Sequence, residues 1–157
     1  MGRVLWAHDV GVRVDVVSEL TIGSPVERVA AFAADPSNVS RWYKNISSVE
    51  WLTPEPVQLG SKVAFVARFL GRTLRYTYEV VEFVPGERLV MRTADGPFPM
   101  ETTYTWSMAS EGRTRMTLRN RGEPAGFSKL LAPFMAPAMR RANRKDLAKL
   151  ASILESG

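Results

Sequence analysis

The stretch GFSKLLAPFMAPAMRRANRKDLAKLASILE, residues 126–155, decides the fold, because it has the pattern of a long C-terminal helix on which a sheet can pack. In its second half, apolar residues recur every three or four positions, and basic residues occupy the opposite side. The stripe consists of Met139, Asn143, Leu147, Leu150 and Leu154. Asn143 is the one polar member, which makes it a candidate for a specific contact.

The first half of this stretch carries a second apolar stripe, rotated away from the first. Its members are Phe127, Leu130, Leu131, Phe134 and Ala138. Because proline lacks a backbone donor and clashes with the preceding turn, we expect a kink or a break at Pro133 and Pro137, with Pro137 opening the second segment. The run from Leu130 to Met139 is interpreted as core-facing; a mobile flap or a membrane-touching patch is the alternative.

The amino-acid composition limits the kinds of functional site that the chain can form. A chain of 157 residues suits one domain, spanning 1–157. The absence of cysteine excludes disulfides, zinc-thiolate sites and cysteine nucleophiles, and the single histidine, His8, excludes clustered-histidine metal sites. A Ser-His-Asp triad would require His8 to fold back from a polar N-terminal lead-in. We therefore expect no metal and no cofactor.

Charge and hydropathy bear on location and partners. Met1 to Asp9 lacks the continuous apolar core of a signal peptide, and no later apolar run is long enough to span a bilayer, so a cytoplasmic protein is expected. The formal net charge of +5 comes mostly from arginines spread along the chain. Without a groove-reading or base-stacking motif, this charge favours a solvated basic face, and we expect no nucleic-acid partner.

Alternating apolar and polar residues predict strands before the terminal helix. A first strand, Val10 to Ile22, is followed by Ser24-Pro25-Val26-Glu27, whose serine cap, first-turn proline and glutamate spacing predict a helix start. Asp35-Pro36 ends that helix and can begin a short second one carrying Trp42 and Tyr43. Six further strands follow, with a bulge expected where the parity slips at Val80-Val81. They lie at Ile46–Leu52, Val63–Phe69, Thr73–Val84, Arg88–Thr93 and on both sides of the turn Ser110-Glu111-Gly112.

These elements predict an α+β domain in which a curved antiparallel sheet of about seven strands wraps around the C-terminal helix, with two short helices after the first strand. The ordered set resembles the START-like helix-grip superfamily (SRPBCC), in its polyketide cyclase/dehydrase and lipid-transport branch. The resemblance rests on Ser24-Pro25-Val26-Glu27, Asp35-Pro36 followed by Trp42, Gly60, Tyr76 to Glu82 running into Pro85-Gly86, and Asp146 to Leu150.

The resemblance implies a cavity between sheet and helix, open at one end to hydrophobic ligands. Strand parity independently predicts which side chains point inward and would contact a ligand. They are Phe65, Leu74, Tyr76, Tyr78, Met91, Tyr104, Trp106, Met116 and Asn120, facing Phe134, Met135, Met139 and Asn143 of the helix. Trp42 and Tyr43 either gate the mouth or hold their short helix on the sheet. The alternative is that these residues fill the core and leave no pocket.

Such a lining predicts binding or transport of a hydrophobic small molecule, such as a lipid, an isoprenoid quinone or a polyketide-like aromatic. The alternative is a cofactor-independent cyclase or dehydratase that uses the same cavity. Its proton-moving candidates are Tyr76, Tyr78 and Tyr104, helped by Asn120 or Asn143, and by Arg92 and Glu82 if the register turns them inward. No catalytic motif comes with the resemblance, so the catalytic residues stay unknown.

A third hypothesis is contact with a membrane. The apolar run Leu130 to Met139 is flanked by Lys129, Arg140 and Arg141, a combination that suits anionic lipid surfaces. The sequence is compatible with a monomer or a homodimer.

Overall fold

A seven-stranded antiparallel sheet forms the body of the protein in the computed structural model, which describes residues 13–96, 98–123 and 132–156. The strand order across the sheet is β1-β7-β6-β5-β4-β3-β2. The strands are β1 Val14–Ile22, β2 Ile46–Trp51, β3 Lys62–Phe69, β4 Arg72–Val84, β5 Arg88–Asp95, β6 Met100–Ser110 and β7 Arg113–Gly122. Since β1 and β2 lie at opposite edges, the helical segment that joins them must cross the sheet.

The sheet has one buried and one exposed face, as the alternation of β1 shows. Val14, Val16 and Ile22 are buried, whereas Val17 between them is exposed. On the outer face, Arg119 of β7 pairs with Asp15 of β1 at 2.6 Å. The predicted alternation of the first strand is therefore confirmed for the described residues. Val10 and Val12 of the predicted first strand, and His8, lie outside them.

The sheet has irregular backbone geometry at the turn between β3 and β4 and at a bulge between β4 and β5. Leu70 and Gly71 connect β3 to β4 with φ values of 50° and 80°, the positive pair that a tight two-residue hairpin turn requires. The pairing of β4 with β5 shifts register between Val80 and Glu82. This shift confirms the predicted bulge, which lets the long strand bend over the core.

The first helix, α1, spans Val26–Ala34, and its predicted serine cap is wrong. Pro25 takes the N-cap position without a side-chain cap, and its carbonyl accepts from the backbone N–H groups of Arg28 and Val29. Ser24 is instead buried in the corner between strand and helix, where its carbonyl accepts the Thr114 hydroxyl at 2.7 Å. The helix therefore begins one residue later than the capping-box pattern indicates.

The predicted end of α1 and the short helix after it are confirmed. Asp35 Oδ1 accepts from the Ser37 backbone N–H at 2.9 Å, which opens a 3₁₀ turn at Pro36–Asn38. Helix α2, Val39–Trp42, continues directly from that turn.

The terminal helix, α3, is continuous over Ala132–Glu155, so of the predicted kink or break the break does not occur. Pro133 stands in its first turn, where a missing N–H costs little, and Pro137 removes only one bond to the carbonyl four residues earlier. Residues 126–131 of the predicted helix, with Phe127, Leu130 and Leu131, lie outside the described residues. Among the described helices, none is long and apolar enough to cross a bilayer.

The C-terminal half of α3 is fixed on the core. Leu147, Leu150 and Leu154 pack into the main apolar cluster. Arg28 Nη1 donates to the Leu154 carbonyl at 2.8 Å, a cation at the negative end of the helix dipole. The space between α3 and the sheet lies beneath the other half of the helix.

Candidate functional site

A cavity of about 140 Å³ lies between the N-terminal half of α3 and the concave face of the sheet. Its wall is mostly apolar, with aromatic rings from β3, β4 and β6 and methionines from α3. The wall includes Arg68, which is exposed, and Asn45, which is half-buried, together with fully buried side chains such as Tyr104. The cavity therefore reaches the surface. A concave apolar site with a few polar groups is the usual form of a small-molecule pocket.

Most of the predicted ligand-contacting residues lie on this wall. They are Phe65, Tyr76, Tyr78, Met91, Tyr104, Asn120, Met135, Met139 and Asn143. Strand parity identified the members on the sheet, because alternate side chains point toward the helix, and the helical period identified those on α3. Their contact with a ligand stays a prediction.

Leu74, Trp106 and Met116 face inward as predicted but do not line the cavity. Trp106 and Met116 are a cross-strand pair in the main apolar cluster that also contains the C-terminal half of α3, and Leu74 belongs to a separate buried cluster. Strand parity predicts which face of the sheet a side chain lies on. It does not predict whether that position packs against the core or lines the cavity.

Phe134 does not line the cavity either, because its side chain is 60% exposed. Since α3 is one helix, Met135, Met139 and Asn143 form a single stripe toward the sheet, and residue 134 points about 100° away from it. The expected rotated stripe therefore faces solvent at this position.

Trp42 is a packing residue and not a gate. It is 1% exposed, and its ring lies 4.5 Å from the Tyr43 ring and 5.7 Å from the Tyr104 ring, measured between centroids. These contacts hold α2 on the sheet. The neighbouring Tyr43, for which the same two roles were predicted, packs on Trp42 and also reaches the cavity wall.

Two tyrosines share a hydrogen bond at the wall. The hydroxyl oxygens of Tyr43 and Tyr104 lie 2.8 Å apart, and either can donate. Burial raises the pKa of both phenols well above the ordinary value of 10.0. Both hydroxyls are therefore neutral near pH 7, so they act as hydrogen-bonding groups and not as bases.

A second polar group spans β6 and β7. The Thr102 hydroxyl donates to Asn120 Oδ1 at 2.7 Å, and its oxygen lies 3.5 Å from the Tyr78 hydroxyl. Thr102 and Asn120 face each other across the two strands, and both are buried. Because these groups satisfy one another, they fix the shape of this part of the wall.

The helix contributes an amide and a carboxyl one turn apart. Asn143 is 4% exposed, and its Nδ2 has no hydrogen-bond partner among the described residues. Asp146 is buried, and its Oδ1 accepts the Lys44 backbone N–H at 3.1 Å. Burial raises the pKa of Asp146 to about 6, against the smaller opposing effect of the Lys44 hydrogen bond. Asp146 was not predicted as a site residue, although its three-residue spacing from Asn143 places both side chains on one side of the helix.

Asp146→Asn is expected to change the pH dependence of folding. Because the folded pKa lies above the ordinary 3.8, the folded protein holds this proton more tightly than the unfolded chain, and stability falls as pH rises toward about 6. Asparagine keeps the acceptor for Lys44 and removes the charge. Urea unfolding at about pH 4 and pH 7 should show the variant gaining on the order of 2 kcal/mol relative to wild type at the higher pH. An equal difference at both pH values would show that Asp146 does not titrate in this range.

Arg92 and Glu82 were candidates for catalysis only if the strand register turned them inward, and it does not. Arg92 Nε pairs with Glu101 Oε2 at 2.6 Å, and Glu82 Oε1 pairs with Arg88 Nε at 3.2 Å, both on the outer face of the sheet. The register of β4 and β5 turns them away from the cavity. In the part of the chain that the structure describes, no three histidine, cysteine, aspartate or glutamate side chains come together as a metal site would need.

A curled seven-stranded antiparallel sheet, two short helices after its first strand and a C-terminal helix over an apolar cavity together define the helix-grip, START-like class. Within it, the chain belongs to the polyketide cyclase/dehydrase and lipid transport family, whose sequence profile matches residues 13–155.

Solved structures share this fold. TTHA0849 from Thermus thermophilus is 24% identical over 90% of this chain and 97% of its own, with a TM-score of 0.78. The ZhuI aromatase/cyclase from Streptomyces sp. R1128 is 16% identical over 91% and 94%, with a TM-score of 0.76. A START superfamily protein from Mycobacterium smegmatis is 12% identical over 90% and 97%, with a TM-score of 0.77. At these identities the likeness shows the fold alone. A search of curated proteins finds no match.

Proposed function

We propose that this protein binds or carries a hydrophobic small molecule in the cavity beneath the N-terminal half of α3. The observation that carries the proposal is the wall itself, which combines aromatic rings and methionines with a small number of fixed polar groups. Lipids, isoprenoid quinones and polyketide-like aromatics all suit such a wall. A cavity of about 150 Å³ holds one benzene, so the observed space accepts one ring or a short chain, with the rest of the molecule toward the mouth.

Asn143 Nδ2, which has no hydrogen-bond partner among the residues that the structure describes, supports a ligand with an oxygen atom. A buried donor without a partner costs on the order of 1–3 kcal/mol, and a carbonyl or hydroxyl oxygen in the cavity would recover this. The methionines Met135 and Met139 come from the same face of the helix and adapt to irregular shapes. Asn143 and the two methionines together favour a ligand that makes one polar contact and is otherwise apolar.

Binding can be measured with N-phenyl-1-naphthylamine, an uncharged dye whose fluorescence rises in apolar surroundings. We expect saturable binding at one site per chain, and competition by apolar compounds that contain an oxygen. If the dye binds without saturation, or no apolar compound competes, the proposal is wrong. The sequence-based predictions of a cytoplasmic location and of a monomer or homodimer stay proposals beside it.

The second candidate is a cofactor-independent cyclase or dehydratase. The observation that favours it is Asp146, a carboxyl on the cavity wall whose pKa of about 6 suits proton transfer near neutral pH. The phenols of Tyr43 and Tyr104 would then donate hydrogen bonds to a developing enolate.

Tyr104→Phe separates the two candidates. It removes one hydroxyl from the Tyr43–Tyr104 pair and keeps the ring that packs on Trp42. For a carrier, we expect the affinity of the dye to change by less than about threefold, because the phenol is not the source of the apolar binding energy. An enzyme would instead lose at least about tenfold in kcat on a ligand recovered from the protein, with KM little changed.

A further inference from the structure

A second recess, of about 290 Å³, adjoins the cavity at the surface. Asn45, Ala142 and Asp146 line both spaces. A ligand whose body occupies the cavity can therefore extend one end into the recess without leaving the protein surface. The side chains that line the recess therefore determine which chemical group the ligand can carry at this end.

The recess is basic. Lys44 reaches it from the loop after α2, and Arg141 and Lys145 reach it from successive turns of α3. All three are exposed, and no carboxylate of the described residues forms an ion pair with any of them. The arginines on the outer face of the sheet differ from these cations, because Arg119 pairs with Asp15 and Arg121 pairs with Glu101.

One acid, Asp146, lies in the recess, and it offsets only part of the positive charge. Asp146 is 3% exposed and already accepts the Lys44 backbone N–H. With Asp146 ionised, the lining residues carry three positive charges and one negative, a net of +2. A fourth cation, Arg68, lines the adjoining cavity and is also exposed. Cations gathered in a recess with low-dielectric walls attract an anion more strongly than the same charges on a flat surface.

We propose that the ligand is an amphipathic anion, whose apolar body occupies the cavity and whose carboxylate or phosphate is bound in the recess by Lys44, Arg141 and Lys145. This rests on the proposed function, since it assumes that the cavity is the binding site. Ammonium and guanidinium groups form charge-assisted hydrogen bonds with both kinds of anion, so the recess recognises their shared chemistry.

The test compares two compounds that differ only in the head group, decanoate and 1-decanol, as competitors of N-phenyl-1-naphthylamine at about pH 8, where the carboxylate is ionised. We expect wild type to bind decanoate at least about tenfold more tightly than 1-decanol. The triple variant Lys44→Gln/Arg141→Gln/Lys145→Gln should lose this preference and keep its affinity for 1-decanol within about twofold. The control Arg140→Gln/Arg144→Gln/Lys149→Gln removes the same charge from parts of α3 that line neither space, and should keep the preference.

The other outcomes overturn the proposal. Equal affinities for decanoate and 1-decanol in wild type would refute the anion site and leave the proposed function standing. A preference that survives in the triple variant would place the head group elsewhere. Displacement by neither compound would count against both proposals. A fourth arm measures binding to phosphatidylglycerol and phosphatidylcholine vesicles; anionic-vesicle binding that the triple variant loses, without any decanoate preference in wild type, would assign the cations to a membrane surface.

Discussion

Ala67→Phe is expected to lower the affinity for N-phenyl-1-naphthylamine at least about thirtyfold. Ala67 lies on the cavity wall, in β3 between Phe65 and Phe69, which also line it. A benzyl side chain there would occupy most of a space of about 140 Å³, since a comparable cavity holds one benzene. The ligand and the new ring would compete for the same volume, so binding falls while the fold persists. Fluorescence titration measures the loss.

Ala64→Phe is the matched control. Ala64 lies on the same strand, three residues earlier, with the opposite parity, and it does not line the cavity. We expect its affinity for the dye to stay within about twofold of wild type, because the added ring points away from the cavity. Circular dichroism establishes that both variants are folded. Loss of binding in both, or in neither, would contradict the location of the site.

The second large effect concerns stability. Leu150→Ala is expected to lower the free energy of unfolding by about 3–5 kcal/mol, as truncation of a fully buried leucine leaves a cavity that the surroundings only partly fill. Leu150 is 0% exposed and packs in the cluster that joins α3 to the sheet. Urea denaturation followed by circular dichroism measures the change.

Lys149→Ala provides the comparison for this prediction. Lys149 precedes Leu150 on the exposed side of α3, so its truncation should change the unfolding free energy by less than about 0.5 kcal/mol. If Leu150→Ala cost as little as Lys149→Ala, the C-terminal half of α3 would not be the element that closes the core.

The fold was predictable because its main signals are periodic. The alternation from Val14 to Ile22 and the helical spacing of Leu147, Leu150 and Leu154 each match one face of an element to the core. In each case the pattern and the tertiary environment favour the same structure.

Errors arose where the local pattern was not decisive. The serine at position 24 has the chemistry of a cap, but its carbonyl accepts a tertiary hydrogen bond and the helix begins one residue later, with Pro25 at the N-cap. Pro137 predicted a break, whereas packing of the helix on both sides of it outweighs one lost hydrogen bond. Local propensity is a weak guide when tertiary contacts are extensive.

The candidate site was only partly predictable. Parity placed Tyr76 and Asn120 on the concave face, yet it could not tell them from Trp106, which is packed within the core. Tyr43 and Asp146 reach the wall because two separate elements meet there, a juxtaposition that no single stretch of sequence contains.

The most direct test of the central claim is native mass spectrometry of wild type and Ala67→Phe in parallel, after incubation with N-phenyl-1-naphthylamine and with an extract of apolar metabolites. We expect one ligand per chain in wild type and none in Ala67→Phe, with both proteins folded. Wild type without any bound ligand, or equal occupancy of the two proteins, would contradict a ligand-binding cavity beneath α3.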